Sequence, residues 1–524
     1  MLDENKFDAI VIGSGIGGLA FAAIMAKLRK WRVLVLERHF KIGGFTHTFA
    51  RPGGWSWDVG LHYVGEMGEG MMGRRLFDFI TDGKLEWNPM PDVYDVFLYP
   101  TLEFKVPTGE ANFRGALIDA FPEERGGIEQ YFRDLKTAQG WLNRYFMSLV
   151  APPPLSWLVR GLNGPLSEMP LGLTRQYLEK RIHDPRLRAV LTSQWADYGV
   201  PPGGSAFATH AIIATHYFHG AWYPVGGAGE IADAAGAVIR AAGGDLLANH
   251  EVTKIVVEGN RAVSVEVSVR KGKGGTQAEF CAPVIVSDAG AWNTFARLLP
   301  SATLSFRNEL ATPPAGFECV ELFLGLRSDP RALGFHGENY WIFSSFDHDE
   351  MYARRNELLE GRAPMAYLSF PSLKDPHATR HTAELIAPFS YRALEAHRDE
   401  PWHRRTAVYE SAKSRITDGL LDIVEKHRPG FRNLVEYAEL ATPLSFEYFT
   451  AAPCGAIYGY PGTPQRFTRS WLRPDTPLRN LYLTGSDAAV LGIMGAFMGG
   501  VLAASRVLGA TGFFQVMKAV NERS

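Results

Sequence analysis

The chain has 524 residues, of which 46% are hydrophobic and 21% are charged, enough for two or three domains around a large core. Its formal net charge of −2 gives no support for nucleic-acid binding, which needs a strongly basic face. The three cysteines lie far apart without metal-binding spacing, which favours a reducing compartment. The polar first residues, MLDENK, do not resemble a signal peptide, and we expect a cytoplasmic protein.

The stretch FDAIVIGSGIGG predicts a buried parallel strand, from Phe7 to Gly13, that ends in a glycine-rich turn. Small and apolar side chains continue at helical spacing from Leu19 to Arg29. A second apolar run, from Arg32 to Leu36, predicts another strand that ends at Glu37. Together these segments predict a βαβ unit.

The glycines of this turn have the spacing of a dinucleotide-binding loop. Gly13 would allow the tight turn, Gly15 would let a pyrophosphate approach the backbone, and Gly18 would let the helix lie close to the sheet. Glu37 follows about 20 residues later, where an acidic side chain accepts hydrogen bonds from an adenosine ribose. Glycine turns also occur for packing alone, but the complete order of elements predicts a bound dinucleotide.

Two further glycine-rich stretches point to the same ligand. RHFKIGGFTHTF places Gly43 next to Gly44, which by itself is equally typical of a loop. LYLTGSDAAVLGIMGA predicts a strand over Leu481 to Leu483, then Asp487 and a glycine-rich helix. An acidic residue can bind a polyol chain there, and the helix dipole can stabilise negative charge on a ring, as flavin requires. The stretch 488–505 is too short and too rich in glycine for a membrane span, so we expect a buried helix.

These motifs resemble the FAD-dependent amine oxidase superfamily, and within it the branch of phytoene desaturases, carotenoid isomerases and retinol saturases. Besides the stretches above, the resemblance includes WDVGLHYVG and WYPVGGAGEIADA, so it extends over essentially the whole chain. The GLHYVG and YPVGG stretches favour the retinol saturase and carotenoid isomerase side.

The resemblance implies FAD as cofactor and assigns residues to it by position. Gly13, Gly15, Gly17 and Gly18 would face the pyrophosphate, Val252 the adenine and Asp487 the ribityl or pyrophosphate region. The full set of expected cofactor-binding residues is Gly13, Gly15, Gly17, Gly18, Glu37, Arg38, Gly43, Gly44, Val252, Gly485, Asp487, Met494 and Gly495. The catalytic residues stay unknown, with His62, Tyr63 and His47 as weak candidates near the flavin.

The expected fold is α/β (α+β overall), with a discontinuous Rossmann-type FAD-binding domain formed by residues 1–65, 222–293 and 480–524. Residues 66–221 and 294–479 would form an inserted substrate domain of mixed sheet and helices. Within the FAD domain, alternating valines after the Gly259-Asn260 turn predict a β-hairpin.

The segment 141–165 is rich in large apolar side chains around a triple proline, which should end one helix and start another. Such a segment, with Arg144 and Arg160 as its only charges, could dip into a membrane interface. The alternatives are a core segment or a dimer contact.

The histidines His210, His216 and His219 lie close together in the sequence but lack a nearby carboxylate. The spacing does not match a metal site, and we expect no metal.

We therefore expect an FAD-dependent oxidoreductase that acts on C=C bonds of a hydrophobic polyene, isoprenoid or unsaturated fatty acid. The resemblance favours a retinol saturase-like or carotenoid isomerase-like reaction over a phytoene-type desaturase. The alternative from another class is a non-catalytic lipid carrier, which would be expected to lose GSGIGG or Asp487. No second dinucleotide loop follows Glu37, so electrons would come from an external donor, or the reaction would be redox-neutral.

Overall fold

The computed structural model describes residues 7–152, 154–271, 274–401 and 404–522. Its strands are β1 Ala9–Ile12, β2 Val33–Leu36, β3 Thr48–Arg51, β4 Trp55–Asp58, β5 Trp87–Pro89, β6 Val93–Tyr99, β7 Leu102–Pro107, β8 Trp222–Pro224, β9 Asp245–Leu247, β10 His250–Glu258, β11 Arg261–Lys271, β12 Gly274–Cys281, β13 Ile285–Ser287, β14 Cys319–Leu326, β15 Asn339–Phe343, β16 Met365–Ser369, β17 His381–Pro388, β18 Val435–Ala441 and β19 Leu481–Leu483. Its α-helices are α1 Ile16–Arg29, α2 Met72–Thr81, α3 Glu110–Ala120, α4 Arg125–Val150, α5 Leu155–Asn163, α6 Thr174–Glu179, α7 Pro185–Thr192, α8 Phe207–His216, α9 Gly229–Ala241, α10 His348–Ala353, α11 Pro371–Lys374, α12 Ala407–His427, α13 Phe431–Leu434, α14 Pro443–Thr450, α15 Pro464–Thr468, α16 Gly492–Val507 and α17 Gly512–Asn521.

A parallel sheet of order β19-β13-β1-β2-β9 forms the Rossmann-type part of the molecule. Strands β1, β2 and β13 are buried along their whole length, as expected for short apolar runs covered on both faces. Helix α1 begins at Ile16, directly after Gly15 and three residues before the predicted start at Leu19. The fold is α/β (α+β overall), as the sequence predicted.

Helix α16 is the buried glycine-rich helix that the sequence predicted, and it packs against α1. A Cβ atom built on Gly500 would lie 2.5 Å from the carbonyl oxygen of Gly17 and 2.7 Å from Cβ of Ala20. The glycines of α16 therefore let the backbones of α16 and α1 pack in direct contact.

The predicted hairpin after Gly259 is present as β10 and β11, which pair antiparallel. It is extended by β12, which sequence reasoning missed. Gly259 has a φ of +59°, a left-handed value suited to glycine in a tight turn.

A seven-stranded mixed sheet, of order β18-β14-β17-β16-β15-β6-β7, forms the second layer. In its strand β14, side chains alternate between two environments, as in any strand with both faces covered. Val320, Leu322 and Leu324 belong to the apolar core that includes α12. Cys319, Glu321 and Phe323 point to the other face, which borders a cavity.

The proline-rich junction separates α4 from α5, as predicted, but the two sides of the segment 141–165 differ in burial. Trp141, Leu142 and Leu149 on α4 are buried, which fits the core alternative. Trp157 and Leu158 on α5 are 68% and 59% exposed. Across the described ranges, every helix falls short of the length or apolarity needed to span a bilayer.

Candidate functional site

The glycine-rich turn between β1 and α1 needs glycine for different reasons at different positions. Gly13 has a φ of +94°, which other residues rarely adopt. A Cβ atom built on Gly15 would lie 2.5 Å from Oδ2 of Asp288, and one built on Gly18 would lie 2.6 Å from the carbonyl oxygen of Gly13. Larger side chains at Gly15 and Gly18 would therefore push the start of α1 away from the parallel sheet.

Glu37, at the end of β2, is buried and hydrogen-bonded within the chain. Its Oε2 accepts hydrogen bonds from the backbone N–H of Ser14 at 2.9 Å and from the Ser14 hydroxyl at 2.7 Å, and its Oε1 accepts one from the His39 N–H. The neighbouring Arg38 donates to Glu251 at 3.3 Å. Both residues also line the cavity, but the predicted ribose contact of Glu37 stays a prediction.

Asp288, directly after β13, is a site residue that sequence reasoning missed. Its carboxyl group lies beside Gly15 and Gly18, whose N–H groups are predicted to bind a pyrophosphate, and these N–H groups partly offset the rise of its pKa. Burial raises its pKa to about 8, and the nearby carboxylates of Glu37 and Asp487 add to the shift. An acidic residue at the end of a short apolar strand, in VIVSDAG, was the available signal.

The paired glycines after β2 lie against the turn. The N–H of Gly43 donates to the Ser14 hydroxyl at 3.0 Å, and a Cβ atom built on Gly44 would lie 2.9 Å from Cα of Gly15. His47 lines the cavity, and burial lowers its pKa to about 4, so its imidazole is neutral near pH 7.

The C-terminal glycine-rich stretch closes the site from the other side. A Cβ atom built on Gly17 would lie 2.5 Å from Cα of Gly485. Asp487 is buried and accepts hydrogen bonds from the N–H groups of Ala291 at 2.8 Å and Tyr460 at 2.9 Å. The buried guanidinium of Arg466 lies 3.7 Å from its Oδ1 and balances its charge.

Helix α16 borders the cavity, and the predicted flavin contacts of Met494 and Gly495 stay predictions. Gly492, Ile493 and Ala496 line the cavity, whereas Met494 and Gly495 are not among the described residues that do. The reason is the helical period, which places residues three or four apart on one face and turns the intervening ones away. Val252, the predicted adenine neighbour on β10, does line the cavity.

The cavity has a volume of about 560 Å³ and extends from the glycine-rich turn to the face of the seven-stranded sheet. Its sheet side is mainly apolar and aromatic, a composition typical of sites for hydrophobic ligands. The sheet residues that line it are Cys319, Glu321, Phe323, Trp341, Met365, Tyr367, Ile386, Pro388, Glu439, Leu440 and Ala441. Sequence reasoning placed the substrate site in this domain but identified none of these side chains.

His62 and Tyr63, adjacent in sequence, have different positions relative to the cavity. His62 lines it, and its Nδ1 lies 2.8 Å from Oε2 of Glu384. Burial, followed by the charge of Lys374, lowers the His62 pKa to about 3. Tyr63 is not among the described lining residues, and its hydroxyl donates to Asp197 at 2.9 Å. Of the two, His62 is therefore the one placed at the cavity wall.

The sequence cluster of histidines does not converge in space on a common ligand. His210 pairs with the Tyr131 hydroxyl at 2.7 Å, and His216 accepts the N–H of Gly65 at 2.9 Å. A different trio, His62 with Glu321 and Glu384, has side-chain N and O atoms within 4.8 Å of one another. Within this trio, His62 Nδ1 is hydrogen-bonded to Glu384, and the predicted absence of a metal stays a prediction.

The chain has the features that FAD requires. The turn places glycines where side chains would collide, and it leads into the start of α1, whose N–H groups can bind an anion. Acidic groups line the cavity at the ends of β2 and β19, and apolar side chains line it towards the sheet. The residues present therefore fit the dinucleotide at one end and a hydrophobic ligand at the other.

The comparisons with known proteins agree with this fit. Residues 11–80 match the family described as NAD(P)-binding Rossmann-like domain. The chain is 33% identical to all-trans-retinol 13,14-reductase of Rattus norvegicus over 96% of this chain and 86% of that protein. It is 26% identical to prolycopene isomerase 2, chloroplastic, of an Oncidium hybrid cultivar, over 98% of this chain and 85% of that protein.

Among solved structures, the chain resembles cyclohexylamine oxidase from Brevibacterium oxydans IH-35A, with a TM-score of 0.58 over 99% of both chains. The sequence identity is 16%, so this likeness concerns the fold. The match to the retinol reductase shows the family, and the chain is an enzyme with FAD as its cofactor. The chain belongs to the FAD-dependent phytoene desaturase, carotenoid isomerase and retinol saturase family, and it is an oxidoreductase of the retinol saturase-like or carotenoid isomerase-like type.

Proposed function

We propose that this protein reduces a C=C bond of a retinoid-like polyene. The observation that carries the proposal is the cavity, because it joins the FAD-binding turn to a largely apolar sheet face. A polyene needs such a water-poor path to reach the flavin. Reduction is favoured over isomerisation because the retinol reductase of Rattus norvegicus is 33% identical and the Oncidium prolycopene isomerase is 26% identical.

When bound, FAD supplies the hydride chemistry, and the chain supplies binding and orientation. We propose that the turn of Gly13, Gly15, Gly17 and Gly18 holds the pyrophosphate, with Glu37 and Arg38 at the ribose and Val252 at the adenine. The flavin end would be surrounded by Gly43, Gly44, Gly485, Asp487, Met494 and Gly495, together with Gly492, Ile493 and Ala496 of the cavity lining. Phe323, Trp341 and Ile386 would hold the polyene and exclude water.

We also propose the domain division that the sequence indicated. All strands of the parallel sheet come from segments 1–65, 222–293 and 480–524, and all strands of the seven-stranded sheet come from 66–221 and 294–479. An external donor would supply electrons to the flavin.

We further propose that the protein lies in the cytoplasm and binds a membrane surface through helix α5. Leu155, Trp157, Leu158 and Leu162 are all exposed, and Arg160 lies among them. Such a helix can bury its apolar side chains in the interface while the arginine contacts lipid phosphates. This surface would give a lipid-borne polyene access to the protein.

Product analysis tests the proposed reaction. We expect the dithionite-reduced protein, incubated anaerobically with all-trans-retinol, to yield a product heavier by two hydrogens in mass spectrometry. An unchanged mass with a shifted retention time would indicate isomerisation, and a loss of two hydrogens would indicate desaturation. The FAD-free protein serves as the control and should convert nothing. If reduced holoprotein also left retinoids, carotenoids and unsaturated fatty acids unchanged, the proposal would be wrong.

The position of Asp288 predicts that FAD affinity depends on pH. Its carboxyl group, with a pKa of about 8, is neutral below that pH and ionised above it, where it would repel the pyrophosphate. The FAD dissociation constant should therefore rise above pH 8, by up to about tenfold per pH unit for one coupled proton. Asp288→Asn should bind FAD at least as tightly as the parent at pH 7 and show no such rise. Fluorescence titration from pH 6 to 10 measures this, and a parallel pH dependence in both proteins would contradict the role of Asp288.

A further inference from the structure

Glu321 lies in the middle of β14, on the strand face that borders the cavity. Its residue is 2% exposed, and its Oε1 has no hydrogen-bond partner among the described residues. A buried carboxyl oxygen without a partner is costly, because it has lost its water and gained nothing in exchange. Its position at the wall of the substrate cavity indicates that the partner is a ligand or a transferred proton.

His62 and Glu384 lie in a row behind Glu321, and only the His62–Glu384 pair is within hydrogen-bond distance. His62 Nε2 lies 4.0 Å from Glu321 Oε1, and His62 Nδ1 lies 2.8 Å from Glu384 Oε2. Glu384, on the neighbouring strand β17, is fully buried and also accepts the backbone N–H of Asp58 at 3.1 Å. The imidazole of His62 therefore lies between two buried carboxyl groups, one at the cavity and one behind it.

Burial favours the protonated form of both carboxyl groups. The titratable groups that interact with Glu321 and Glu384 are Asp58, His62, Lys374, Cys319, Tyr223 and Tyr458. Burial, then the charges of Glu384 and Asp58, raises the Glu321 pKa well above its usual range. Burial raises the Glu384 pKa to about 8, against a lowering effect of the Lys374 ammonium. Both acids are therefore neutral near pH 7, and His62 is an uncharged imidazole between them.

We propose that Glu321 is the acid that protonates the substrate alkene, and that His62 and Glu384 position it and restore its proton. This rests on the proposed reduction. One alkene carbon accepts a hydride from reduced FAD and the other accepts the Glu321 proton, so that the π bond is replaced by two C–H bonds and FAD is left oxidised. The Glu321 carboxylate then takes the Nε2 proton of His62, whose Nδ1 takes the proton of Glu384. The resulting Glu384 carboxylate is stabilised by Lys374 and regains a proton from water before the next turnover.

Glu321→Gln tests the donor role, because glutamine keeps the shape of the side chain and cannot donate an acidic proton. We expect unchanged FAD content and a polyene reduction rate lower by about 10²- to 10⁴-fold, the usual contribution of general acid catalysis. The matched control is Glu318→Gln, which changes a glutamate just before β14 that is not a cavity-lining residue and that accepts the Tyr391 N–H at 2.6 Å. This variant should keep the parent rate. A parent rate in Glu321→Gln would overturn the proposal.

Two further measurements distinguish donation from a merely structural role. The infrared spectrum of the parent holoprotein minus that of Glu321→Gln, both at pH 7 without substrate, should show a protonated carboxyl band. Absence of that band would overturn the proposal. Glu384→Gln should slow steady-state turnover more than single turnover, because it removes the group that restores the proton for the next cycle, whereas a purely structural role would slow both equally. A parent that holds FAD and converts no polyene contradicts the proposed function and the donor role together. Stoichiometric metal in the purified protein would assign the trio to a metal instead.

Discussion

Replacement of Gly15 by valine should yield a protein that retains no FAD through purification. The backbone at Gly15 has φ −61° and ψ 169°, an extended conformation that any residue can adopt, so the expected effect is steric. A Cβ atom there would already lie 2.5 Å from Asp288 Oδ2, and the two valine methyl groups would extend into the space at the start of α1. We have proposed this space for the pyrophosphate, which must approach backbone N–H groups closely. The flavin absorbance per mole of protein measures the outcome.

The same variant should still fold, since overpacking at one site costs about 1–3 kcal/mol. Circular dichroism and a thermal melt will separate loss of FAD from loss of structure. Gly115→Val in α3 is the matched control, because a Cβ atom built at Gly115 meets nothing within 4 Å. It should keep its flavin. A Gly15→Val protein that binds FAD as tightly as the parent would remove this turn from the cofactor site.

Replacing Trp157 and Leu158 with aspartate should abolish binding to lipid vesicles. These side chains are 68% and 59% exposed on α5, so the change disturbs no core packing in the free protein. Burial of two such side chains in the membrane interface contributes roughly 3–6 kcal/mol. Their loss should therefore lower partitioning of the protein onto vesicles by at least about 100-fold, and the added charges weaken binding further. Co-sedimentation with vesicles that contain anionic lipid measures the loss, and reduction of vesicle-borne retinol should slow in parallel.

A control substitution separates the effect of α5 from that of any added surface charge. Val408→Asp, on α12, changes a side chain that is 67% exposed and should leave vesicle binding as in the parent. FAD content should be equal in all three proteins, because α5 contributes no described residue to the cavity lining. Equal vesicle binding by the parent and the double variant would exclude this face as the membrane contact.

The sequence by itself determined the parts of the protein that depend on local pattern. Strand and helix periodicity is visible within a few residues of sequence. Three elements were predictable for this reason: the short apolar run before Gly13, the helix after it and β19. The same holds for the left-handed glycine at Gly13, since tight turns require it. The motifs also determined the family and the cofactor, because the glycine turn and Glu37 lie within one βαβ unit whose order of elements is visible in the sequence, and further motifs follow along the chain.

Only the tertiary structure decided which side chains share the cavity. His62 and Glu384 are separated by 322 positions in the sequence, and Glu321 lies on a third segment, so no periodicity within one segment could have joined them. Asp288 contacts the glycine turn because parallel pairing of β13 with β1 aligns their carboxyl ends. The rotation of α16, which decides which of its residues line the cavity, depends on its glycine contacts with α1 and so on packing between distant segments.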